Sequence, residues 1–118
     1  MLNQTRYRDL VVHTVTEPML SFLEECDDDY TAEQVTACGN LLYAYLESLA
    51  AMEHPTDEAI MEQVKTLILA LNALNEQADY AMIETGEREA ICEIIQCSAV
   101  ECGLHNPCED ITEEWRDW

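Results

Sequence analysis

The chain has 118 residues, 48% of them apolar, which is enough for one buried core and too apolar for a disordered acidic tail. It carries 25 acids against five bases, a formal net charge of −20. A surface so negative repels nucleic-acid phosphates and anionic membranes, which argues against direct nucleic acid or membrane binding. A basic protein is its natural electrostatic complement, with solubility alone as the plainer explanation of the charge.

The elements follow from apolar spacing and capping signals. A first helix is expected from about Gln4 to Cys26, with Val11, Val15, Met19, Phe22 and Cys26 at helical intervals. Pro18 lies inside it and crowds the carbonyl of Thr14, which predicts a kink or a break. This apolar stretch is interrupted by His13, Glu17 and Pro18, which is unlike a secretory leader, and no segment reaches bilayer-spanning length. A cytoplasmic protein with reduced thiols is the expectation.

Thr31 and Gln34 form a capping-box pattern ahead of a second helix, about Ala32 to Glu53. Its apolar arc, which includes Val35, Gly39, Leu42, Leu46 and Leu49, spans about 200° and is wider than one buried face needs. That helix is expected to be central, or to touch a second copy of the chain. Thr56 caps a third helix, in which Ile60, Val64, Leu67, Leu71, Leu74 and Ala78 make a bundle seam. A fourth helix starts at Glu84 or Thr85, presents Ile91, Ile94, Ile95, Ser98 and Cys102 on one face, and stops at Gly103. Asp110 and Glu113 then suit a capping box for a short final helix. Together these elements predict an all-α fold: a single-domain antiparallel four-helix bundle with a short C-terminal helix.

Few residues suggest chemistry. The stretch CGLHNPC offers Cys102, His105 and Cys108 as weak metal candidates. Gly103 and Pro107 make it read better as a helix stop, and structural zinc sites usually present tighter cysteine pairs. Cys92, Cys97 and Cys102 are five residues apart, so successive thiols point about 140° apart and cannot share one ion. No Cys-x-x-Cys pair, Glu-x-x-His motif, nucleophile elbow or phosphate-binding glycine loop occurs. Neither a cofactor nor catalysis is expected.

Asn75 stands out because it falls within the apolar arc of the third helix and needs a polar partner if buried. Arg88, with Glu84 or Glu76 balancing its charge, is the expected partner in a structural polar network. The tail EDITEEWRDW places Trp115 and Trp118 among acids. Trp115 is expected to fold back with Ile111, leaving Trp118 as a partner contact beside Asp27, Asp28, Asp29, Glu113, Glu114 and Asp117. Leu41, Tyr45, Met52 and the outlying Leu69 would form a dimer face if the chain self-associates.

By size, charge and helical character the chain is similar to small acidic inhibitors of bacteria and phages, including toxin-neutralising immunity proteins and nucleic-acid mimics. This likeness of class rests on no motif. It implies a binding protein that engages a basic partner. The alternatives are a self-associating structural domain, and third a small-molecule- or metal-binding bundle.

Overall fold

Tyr7, Val11, Val15 and Met19 recur every four residues and are all buried, so the first segment folds as one apolar-faced rod from residue 4 to residue 25. The computed structural model describes residues 2–25, 30–105 and 110–118. The rod comprises α1 (Gln4–Val11), a π-helical turn (Val12–Thr16) and α2 (Glu17–Glu25). Pro18 therefore neither breaks the helix nor ends it. A proline in a regular helix interior costs about 3 kcal/mol because its ring meets the carbonyl four residues back and its N–H is missing. Here the turn before it widens, and the Glu17 N–H reaches the Val12 carbonyl five residues back. The hydroxyls of Thr14 and Thr16 donate to the carbonyls of Leu10 and Val12 at 2.6 and 3.3 Å, helping to satisfy the distorted ladder.

α3 (Ala32–Ala51) begins at the expected capping box: the Gln34 N–H donates to Thr31 Oγ1 and the Thr31 N–H to Gln34 Oε1. It buries Val35, Cys38, Gly39, Leu42, Tyr45, Leu46 and Leu49 and packs against α1, the π turn, α2 and α4. The wide apolar arc therefore belongs to a central helix. Gly39 allows one of these approaches, since a Cβ there would stand 3.1 Å from Thr16 Cγ2 of the π turn.

α4 (Asp57–Gln77) starts at Thr56, whose hydroxyl accepts from the Ala59 N–H, and packs its Ile60–Val64–Leu67–Leu71–Leu74 seam into the core. α5 (Thr85–Glu101) ends in a Schellman motif. Gly103, at φ +109°, donates to the Val100 carbonyl, Leu104 donates to the Ala99 carbonyl, and Leu104 is buried. The fold is all-helical, with four helices when the first rod counts as one, and no strand occurs among the described residues. None of these helices is long and apolar enough to cross a membrane. Where a short final helix was expected, residues 111–115 form hydrogen-bonded turns that bury Ile111 and Thr112.

Asn75 is 1% exposed and organises the α4–α5 connection. Its carbonyl accepts from the N–H groups of Ala78 and Tyr80, and its side-chain Oδ1 accepts from the Ile83 N–H at 3.1 Å. Asp79 and Tyr80 sit at φ +53° and +63°, which costs non-glycine residues energy and needs such fixing. The partner is thus backbone and not Arg88: four residues of turn bring the Ile83 N–H under the side chain. Asn75→Ala leaves that buried N–H unpaired and is expected to destabilise the protein by about 1–3 kcal/mol in urea unfolding. A loss below about 0.5 kcal/mol would mean that the turn holds without it.

Candidate functional site

Of the CGLHNPC stretch, Cys102 and His105 meet the end of α3 and the start of α4. His105 joins the stretch to α4: its N–H donates to Asp57 Oδ1 at 3.1 Å, and its ring Nδ1 lies 3.1 Å from the same oxygen. These contacts, the backbone N–H first, hold the Asp57 carboxyl below its ordinary value. The half-buried Cys102 thiol points to the Leu49 carbonyl of α3 at 3.9 Å. Cys108 lies outside the described residues. Among those described, no three His, Cys, Asp or Glu side chains are grouped to hold a metal ion, and His105 is engaged with Asp57.

A cavity of about 480 Å³ lies between the N-terminus, the end of α3 and the end of α5. Its lining includes the apolar Leu2, Leu49 and Met52 and the polar Glu53, His54 and Glu101. Glu101 is the best-defined group there. Both its oxygens are held, Oε1 by the Asn3 N–H at 2.5 Å and Oε2 by the Tyr7 hydroxyl at 2.6 Å. A glutamate in the last turn of a helix opposes the helix dipole. The Tyr7 hydroxyl above all, with the Asn3 N–H and the nearby Arg6 charge, nevertheless keeps Glu101 ionised, below its ordinary 4.5. Burial and the same carboxylate push the Tyr7 phenol well up, so it stays a donor. Neither residue is singled out by spacing alone. The available signals were a tyrosine on the apolar stripe of the first helix and an acid at the wrong end of the last.

The other expected site residues are dispersed. Glu84 occupies the exposed start of α5. Arg88 lines a groove with Cys92, Asp110 and Arg116, and Asn75 is not among the residues of that groove. Of the dimer face, Tyr45 is 3% exposed and belongs inside the chain, its hydroxyl 3.1 Å from the Ile95 carbonyl and 3.0 Å from Ser98 Oγ. A tyrosine at the edge of a wide apolar arc is claimed here by α5. Leu41 and Met52 are half-buried against the core, and Leu69 is 47% exposed.

Asp27, Asp28 and Asp29 lie outside the described residues, while Glu113, Glu114 and Asp117 are exposed. Both tryptophans fold back. Asn72 clamps the tail by donating to the Trp115 carbonyl at 2.7 Å and accepting from the Asp117 N–H at 3.3 Å. Trp118 is half-buried beneath the Arg116 guanidinium, 5.5 Å from the ring centroid, and its Nε1 is buried without a partner among the described residues.

The described thiols are free. Burial pushes Cys38 up to about 12 and also raises Cys92 and Cys102, which disfavours the thiolate needed for reactivity. Compared with protein-family models, curated proteins and solved structures, the chain matches none.

Because folding lowers the Glu101 pKa, its contribution is present above about pH 4.5 and is lost as pH falls through the folded value. Tyr7→Phe removes the main cause. The variant is expected to be less stable than the parent by about 1 kcal/mol at neutral pH, with the gap narrowing in acid. Urea unfolding at neutral pH and at about pH 3 checks this. A gap that widens in acid would refute the assignment.

Proposed function

We propose that this protein is a small acidic binding protein, built as an antiparallel four-helix bundle, that engages a basic protein partner as a non-catalytic inhibitor of the immunity type. Short connections between the helices support the antiparallel arrangement. A cytoplasmic setting belongs to the same proposal, in keeping with the free thiols.

One observation carries the reading: among the described residues the fold keeps its acids out of the core and pairs few of them with cations. No described carboxylate is buried, and the buried polar groups are Asn75, Ser98 and Thr112. Among the described residues only Glu47 and Asp110 pair with an arginine, Arg8 and Arg116 respectively. Glu17 and Asp57 meet histidines on the surface. Most of the described carboxylates are therefore uncompensated surface charge in a chain of net charge −20, and such charge opposes the compact state by self-repulsion. A basic partner would relieve that repulsion on binding.

Charge-driven binding weakens steeply with salt, because the screening length falls from about 10 Å at 0.1 M to about 3 Å at 1 M. Immobilised protein incubated with lysate of its native cell at low salt is expected to retain basic proteins that elute as salt rises. Recovery of salt-insensitive partners alone, or of none, would overturn the proposal.

A further inference from the structure

We infer that the cavity between Leu49, Glu53 and Glu101 receives an arginine side chain of the partner. This rests on the reading of the protein as a binder of basic proteins and gives that reading a place on the surface. The cavity measures about 480 Å³, within the roughly 300–1,000 Å³ of ordinary ligand sites. Its lining combines the two kinds of surface that an amphipathic cation requires. Leu2, Leu49 and Met52 supply apolar surface for a methylene stem, and Glu53 and Glu101 supply negative charge for its head.

Three features distinguish this place from the rest of the acidic surface. Glu101 is preorganised, because the Asn3 N–H and the Tyr7 hydroxyl fix one oxygen each. Each oxygen keeps further acceptor capacity, so a cation would meet a carboxylate whose orientation is already set. The carboxylates are also not tied up in ion pairs: neither Glu53 nor Glu101 forms one among the described residues, although the Arg6 charge lies near Glu101. Finally, His54 of the lining holds a left-handed backbone at φ +48°, a conformation that non-glycine residues rarely adopt.

Arginine suits the cavity better than lysine. An ammonium is compact and strongly hydrated, so a half-apolar pocket strips water it holds tightly. A guanidinium is more weakly hydrated and planar, and its fork can address carboxylate oxygens in pairs.

The test is a titration of the ¹⁵N-labelled full chain, at low salt, with N-acetyl-arginine amide, N-acetyl-lysine amide and N-acetyl-norleucine amide. Saturable amide shifts are expected around Leu49, Glu53, His54 and Cys102 with the arginine probe, weaker ones with lysine and none with norleucine. Glu53→Gln, at an exposed position whose loss leaves the fold intact, is expected to weaken the arginine probe about fivefold, the scale of one half-solvated charge pair. Shifts spread over the acidic surface without saturation, or an unchanged affinity in Glu53→Gln, would overturn the inference. Equal binding of lysine would overturn the choice of arginine, and binding of norleucine would make the site merely apolar. Basic partners that Glu53→Gln still retains as tightly from lysate would remove this pocket while leaving the broader function standing. Saturable probe binding without any basic partner would do the reverse.

Discussion

Helix α3 has to satisfy neighbours on several sides at once, and the rest of the architecture follows from how it does so. Against the first rod it offers Gly39, whose missing side chain lets the backbone come within reach of Thr16. Toward α5 it extends Tyr45, whose hydroxyl meets the Ile95 carbonyl and Ser98. At its end the Leu49 carbonyl lies opposite the Cys102 thiol. A helix apolar over so wide an arc could not remain folded on a single partner, because each large apolar side chain left in water forgoes roughly 1.5–3 kcal/mol. Its central place also explains why the rod before it is continuous. The π turn keeps Val15 and Met19 in the core on either side of a residue that would otherwise break the face.

An uncharged core and an uncompensated surface are two sides of one division. The buried polar groups are neutral and are satisfied mostly by nearby backbone, as with Asn75 at the Ile83 N–H and Ser98 at the carbonyls of Ile94 and Ile95. The interior calls on carboxylates only at its edge, where Tyr7 donates to Glu101 and Thr112 to Asp110, so most of the acids are free to serve what lies outside. Surface ion pairs contribute little even where they form, about 0–1 kcal/mol each, so the exposed pair of Arg8 with Glu47 does not alter this balance.

Glu101 is the exception that ties the two together. It sits where the helix dipole disfavours it, yet it receives a phenol from α1 and a backbone N–H from the residue before α1. One carboxylate thereby fastens the N-terminus of the chain to the end of its last helix and stands in the wall of the cavity proposed for arginine. Structural need and proposed function meet in the same group, which is why its geometry is fixed before any partner arrives.

Local chemistry was written plainly in the sequence. The capping box of α3, the Thr56 cap of α4, the Gly103 stop, the seam of α4 and the burial of Asn75 all follow from side chains interacting within a few residues of themselves, where the backbone leaves little choice. The continuity of the first helix through Pro18 did not follow, because the widening of the preceding turn depends on keeping both halves of an apolar face against α3. The partner of Asn75, the inward turn of Tyr45 and the clamp of Asn72 on the tail were likewise decided by tertiary structure. So was the meeting of Tyr7 with Glu101, 94 residues apart. Spacing tells which face of an element is apolar. Only the packing of elements tells which polar group from a distant part of the chain comes to lie beside it, since that pairing depends on helix positions that no local rule sets.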